Sequence, residues 1–110
     1  MSFLDLYLNR NPFITSPNET GEASAIVYGI PFDSTHSFRP GTRFGPDAIR
    51  LAFNNIEIFS TRFNVDLEAV NIEDLGNTRH TVVASEMIDM AGKITGELAK
   101  REKQIIILGG

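Results

Sequence analysis

Two short apolar runs, AIVYGI from Ala25 to Ile30 and QIIIL from Gln104 to Leu108, constrain this chain more than anything else in it. Both are rich in β-branched residues and end at Pro or Gly, which is how strands buried on both faces read. Ahead of the second run lies the clearest helix, roughly Thr81 to Arg101, with Val83, Met87, Met90, Ala91, Ile94 and Leu98 on one stripe and charges opposite. Thr81 is a candidate N-cap, and Lys100, Arg101 and Lys103 suit the carboxyl end of the helix dipole. Gly92 and Gly96 fall inside this helix, each disfavoured by about 1 kcal/mol against alanine, so close packing is the expected compensation.

Two further elements complete the pattern. EAVNIEDLG, residues 68 to 76, alternates as a strand that ends at a turn, and Pro46 suits the first turn of a shorter helix carrying Ala48, Ile49, Ala52 and Phe53 at helical spacing. That helix is expected to fray at Asn54 and Asn55, and residues 11 to 24 are rich in turn formers. The reading is therefore one domain over residues 1–110, an irregular lead-in over 1–24 and a βαβαβ segment over 25–110, of α/β class with a mainly parallel sheet and right-handed crossovers. Ligands in such sheets bind outside the carboxyl ends of the strands. Three places lie there: the loop from Gly29 to Gly45, the turn from Asp74 to Asn77, and Gly109 with Gly110.

Composition narrows the function classes. The formal net charge is −4 and the basic residues are scattered among acidic ones except in the loop, so the footprint of a nucleic-acid binder is missing. Cysteine is absent, which leaves no disulfide and no thiolate metal site. No apolar window is long enough to cross a bilayer, and the amino end has no basic n-region, so a soluble, cytoplasmic protein without a membrane partner is expected.

The loop is the chemically crowded part. GIPFDSTHSFRPGTRFGPDAIR, Gly29 to Arg50, holds three glycines, three prolines, three arginines and a histidine, far more than a strand-to-helix connection needs. No GxGxxG follows a strand, and GTRFGPD lacks the Lys followed by Ser or Thr of a P-loop, so phosphate cradling at Gly41 to Gly45 is weakly supported. Glu73 and Asp74 are adjacent and point to opposite faces of a strand, so they do not converge on one proton or metal; Asp74, at the strand end, is a turn-stabilising or a catalytic carboxylate. His36 and His80 fall in loops with no second ligand at metal spacing, and the favoured reading of each is a polar loop residue. Arg39 and Arg43 flank Pro40 and Gly41, where they bridge carboxylates or backbone carbonyls, or touch substrate.

The same run closely resembles the amino-terminal signature of the agmatinase branch of the ureohydrolases, the family that also holds arginase, guanidinobutyrase and formimidoylglutamase. The order is an apolar strand, Gly-Ile-Pro-Phe-Asp, then Arg-Pro-Gly-x-Arg-x-Gly-Pro, then x-x-Ile-Arg. EDLGN resembles the family's Asp-x-Gly-Asp turn, with Asn77 where Asp is usual, and IIILGG resembles the strand leading into the first metal-binding segment. The resemblance implies a three-layer α/β/α (arginase-like) domain, of which this chain is the first βαβαβ part, and assembly as a homo-oligomer, trimer or hexamer. It implies hydrolysis of a small guanidino substrate to urea, agmatine to putrescine favoured, by two Mn²⁺ ions per full-length subunit, whose His, Asp-x-His-x-Asp and Asp-x-Asp ligands lie beyond Gly110.

No catalytic residue and no metal ligand is therefore expected among these residues, and the chain alone is expected to be inactive, the amino-terminal third of a longer enzyme. The resemblance puts Arg39 at the rim of the substrate cleft, with His36 and Thr35 as weaker candidates. Arg39 would repel an amine-bearing substrate, so it is expected to pair with a carboxylate. Asp33, Pro40, Gly41, Arg43, Gly45 and Pro46 are assigned to holding the loop and fixing it to the helix. The alternative is a non-catalytic truncated paralogue or assembly module of a ureohydrolase.

Overall fold

The computed structural model describes residues 3–9, 24–34, 40–56, 59–66 and 70–109. A 3₁₀ turn, Phe3–Leu6, leads into β1 (Leu8–Asn9), followed by β2 (Ala25–Gly29), a 3₁₀ turn Thr42–Phe44, and α1 (Gly45–Phe53). Then come β3 (Phe59–Ser60), β4 (Val65–Asp66), β5 (Ile72–Thr78), α2 (Ala84–Ala99) and β6 (Gln104–Leu108). The main sheet has the order β1-β5-β2-β6. β2 lies parallel to both β5 and β6, β1 pairs antiparallel with the outer side of β5, and β3 with β4 forms a separate two-stranded ribbon. The chain is thus α/β with a mainly parallel sheet.

The two helices cover opposite faces, because adjacent residues of a strand point to opposite sides. Ile26, Tyr28 and Leu75 pack with Ile94 and Leu98 of α2, together with Leu4 and Leu8 from the amino end. The Tyr28 hydroxyl and the Thr95 hydroxyl are hydrogen-bonded at 2.7 Å. Burial raises the Tyr28 pKa above that of an ordinary phenol, against the opposing effect of that hydrogen bond. Asp74, beside Leu75, points the other way and meets Arg50 of α1.

Several details differ from expectation. α1 does not turn Ala48, Ile49, Ala52 and Phe53 inward as one stripe; its buried residues are Pro46 and Arg50, one turn apart, while Ala48, Ile49 and Ala52 are exposed. An ion pair, not an apolar patch, fastens this helix. The segment EDLGN is not a turn after a strand but the middle of β5, which runs on to Thr78. The amino-terminal segment contains β1, held by the pairing Leu8↔Thr78, in a stretch the sequence reads as lead-in.

Thr81 does not cap α2, whose N-cap is Val83; the Thr81 hydroxyl instead accepts from the Val83 N–H at 3.1 Å and donates to Glu86 Oε2 at 2.7 Å. Among the described residues a Cβ added to Gly92 or Gly96 meets nothing within 4 Å, so the close packing expected there is not found among them. β6 borders the sheet among the described residues, which leaves Ile106 and Ile107 nearly half exposed rather than buried on both faces.

Candidate functional site

The carboxyl ends of β2 and β5 meet the amino end of α1, and the meeting point is built around one side chain. Arg50 is 1% exposed, and all five of its N–H groups donate. Nε reaches Asp74 Oδ2 at 2.8 Å and Nη2 reaches Asp74 Oδ1 at 3.0 Å, the two-pronged geometry that suits guanidinium and carboxylate. Nη2 also donates to the Gly76 carbonyl at 3.0 Å, and Nη1 donates to Asn77 Oδ1 at 2.6 Å and to Asp47 Oδ1 at 3.2 Å. A guanidinium has five donors and no acceptor, so nothing is left unsatisfied.

Backbone irregularity in β5 makes these contacts reachable. Val27 pairs with Asp74 but Gly29 pairs with Asn77, so β5 carries one extra residue there. Gly76 absorbs it at φ 84°, a conformation that side chains disfavour, and its N–H donates to Asp74 Oδ1 at 2.9 Å. Gly29 is needed for a different reason: a Cβ on it would collide with Asn77 Oδ1 and lie 2.8 Å from Pro46 Cβ. The strand, the bulge and the first turn of the helix are in backbone-to-side-chain contact at this one place.

The loop is tied by a second carboxylate. Asp33 Oδ2 accepts from the Gly41 N–H at 2.6 Å and more distantly from the Arg43 N–H at 3.4 Å, while Arg43 Nη1 forms an ion pair with it at 3.1 Å. The Gly41 N–H foremost, then the Arg43 amide and guanidinium, holds the Asp33 carboxyl below the usual carboxylate range. Gly41 has φ 125°, which accounts for glycine there. Arg43 lies over the Phe44 ring, 4.5 Å from its centroid. Pro40 is exposed, Gly45 opens α1, and Pro46 is buried against Gly29. Thr35, His36 and Arg39 lie outside the described residues.

Between the loop and the sheet edge is a cavity of about 320 Å³ whose lining includes Pro31, Arg43, Asp47, Asn77, Thr78 and His80. It sits at the end of the sheet where the fold class places ligands. His80 is exposed, and among the described residues no group of three His, Cys, Asp or Glu side chains could hold a metal ion. The donor set does not fit a manganese pair, since the buried carboxylate, Asp74, is committed to Arg50. Sequence reasoning missed Arg50 as a structural centre. The available signal was a pair of opposite charges at inward positions: Arg50 four residues after Pro46 on α1, and Asp74 within an otherwise apolar strand.

Residues 23–110 match the model of the arginase family. The chain belongs to the arginase family. It is 46% identical over 77 residues to an agmatinase of Bacillus subtilis (strain 168), a match that spans 70% of this chain and 26% of that protein. It is 34% identical over 97 residues to an N(1)-aminopropylagmatine ureohydrolase of Thermococcus kodakarensis, spanning 84% of this chain and 33% of that one. Among solved structures it resembles the agmatine ureohydrolase of Thermoplasma volcanium with a TM-score of 0.79 at 35% identity, over 86% of this chain and 32% of that chain. The chain thus spans about a third or less of the length of these relatives.

Proposed function

We propose that this chain is the scaffold and cleft wall of an agmatinase-like hydrolase that splits a linear guanidino compound into urea and an amine, with agmatine, yielding putrescine, as the preferred substrate. In that reaction water adds its oxygen to the guanidino carbon, the bond from that carbon to the chain nitrogen breaks, and the departing nitrogen takes up a proton. The reading is supported above all by the agmatinase likeness, 46% identical over 77 residues, within a family that the matched residues 23–110 establish.

The part assigned to these residues is positional. Arg50 fixes α1 to β5 and Asp33 folds the loop back on itself. On this proposal Arg39, with His36 and Thr35, stands at the cleft rim, and Asp33, Pro40, Gly41, Arg43, Gly45 and Pro46 keep the loop in place. A pair of Mn²⁺ ions is proposed for the whole protein; its ligands belong outside the described residues, which gather none. Assembly as a trimer or hexamer and action in the cytoplasm belong to the same proposal. No helix among the described residues is long and apolar enough to cross a membrane.

The test is a substrate panel with the protein expressed from its native reading frame and supplied with Mn²⁺. Urea release is measured from agmatine, N(1)-aminopropylagmatine, arginine and 4-guanidinobutyrate. The highest kcat/KM is expected with agmatine. A preference for another member of the panel overturns the substrate, and no urea from any of them overturns the reaction.

A further inference from the structure

Asn77 occupies a position where its two amide ends face opposite chemistry. Its Oδ1 accepts from Arg50 Nη1 at 2.6 Å, and its Nδ2 donates to Asp47 Oδ1 at 2.9 Å. The orientation is fixed by the neighbours: turned over, the amide would set N–H against guanidinium N–H and oxygen against carboxylate oxygen. Asp47 Oδ1 also accepts from Arg50 Nη1 at 3.2 Å, so the three side chains close a ring of hydrogen bonds.

Charge counting gives the ring its meaning. One guanidinium, Arg50, is already shared by two carboxylates, Asp74 at 2.8 Å and Asp47 at 3.2 Å. Arg50 and Asp47 of α1 touch position 77, Arg43 and His80 line the same cavity, and Asp74 of β5 acts there through the Arg50 guanidinium they share. Arg43 already pairs through Nη1 with Asp33. A carboxylate at 77 would keep the bond to Arg50 but would set two oxygens of like charge side by side where a donor now meets an acceptor.

We propose that Asn77 is a positioning residue whose neutral, two-ended amide is required by Asp47, so that positions 47 and 77 together tolerate one carboxylate and one amide but not two carboxylates. The ring holds the first turn of α1, and with it one wall of the cavity, against the end of β5. The inference stands on these contacts and does not depend on the reaction proposed above.

The test is a swap in the protein expressed from its native reading frame, with melting temperature read against pH for N77D, D47N and the double variant D47N/N77D. N77D is expected to melt several degrees below the parent at pH 7. Two neighbours oppose each other: Arg50, already shared by Asp74 and Asp47, lowers the folded-state pKa of an acid at 77, and Asp47 raises it; on this proposal Asp47 outweighs Arg50, so the deficit is present at neutral pH and closes as acid protonates the new carboxyl. The swap restores an amide facing a carboxylate with Arg50 between them, and it is expected to recover most of the loss at pH 7. A swap that folds where N77D does not would support the proposal equally. It is overturned if N77D matches or exceeds the parent at pH 7, if its deficit does not shrink in acid, or if the swap melts or fails to fold like N77D.

Discussion

Asp74→Ala would leave the Arg50 guanidinium in place, 1% exposed, with its two-pronged partner gone. The lost contacts are the bonds at 2.8 Å and 3.0 Å, and the Gly76 N–H loses its acceptor as well. What remains for Arg50 is the Gly76 carbonyl, the Asn77 oxygen and Asp47, a carboxylate whose side chain is 55% exposed and which therefore compensates the buried charge poorly. Removing one member of a buried pair destabilises by about 3–5 kcal/mol. Urea denaturation followed by circular dichroism measures it. With m near ~2 kcal/mol/M, such a loss lowers the midpoint by roughly 1.5–2.5 M. Arg50→Met alone takes the guanidinium from the buried Asp74 carboxylate, so the double variant R50M/D74A should lose less than the sum of the two singles. Asp74→Ala costing under ~0.5 kcal/mol, or singles that simply add to the double within ~0.5 kcal/mol, would refute the view that this pair fastens α1 to the sheet.

Asp33→Asn should loosen the loop in a pH-dependent way. Because the Gly41 and Arg43 contacts depress the Asp33 pKa, its stabilisation is present above the ordinary carboxylate range and is lost as pH falls through the folded value. Parent and variant melting temperatures should therefore differ at neutral pH and converge in acid, and a gap independent of pH would count against the clamp. Two kinds of glycine should respond with opposite signs: Gly29→Ala collides with Asn77 and Pro46 and should destabilise by about 1–3 kcal/mol, whereas Gly92→Ala and Gly96→Ala, in open helical positions, should each stabilise by about 1 kcal/mol. Thermal melts of the three variants decide this.

The parts of the fold legible in the sequence are those carried by local pattern. AIVYG and QIIIL form β2 and β6 where the apolar runs place them, and Met87, Met90, Ala91, Ile94 and Leu98 lie along the inner side of α2. The parts not legible depend on a distant partner. β1 has two residues, too few for any periodicity, and exists through its pairing with Asn77 and Thr78. Arg50 looks like a solvated helix residue until Asp74, twenty-four positions later, is brought beside it. A run of β-branched residues does not reveal whether a neighbouring strand is present, so the near-half exposure of Ile106 and Ile107 is not legible in QIIIL.

At the candidate site, the loop's importance was visible from its glycines, prolines and arginines. The pairing of Asp33 with Gly41 and Arg43 was not, since it requires the chain to fold back over eight to ten residues. The resemblance carried the family, and the contacts supply the physical reason for the letters in its signature. Gly29 makes room for Asn77 and Pro46, Gly41 takes a positive φ, Pro46 starts α1, and Arg50 ends in Asp74.

The most direct measurement is urea released from agmatine, with Mn²⁺ supplied and then removed by chelation, comparing the protein expressed from its native reading frame with the 110-residue chain alone. The account predicts metal-dependent urea from the former and none from the latter, to which it assigns only the part of scaffold and cleft wall; among the described residues no group of three His, Cys, Asp or Glu side chains could hold a metal ion. Urea from the 110 residues alone, or none from the native-frame protein with Mn²⁺ present, would contradict it.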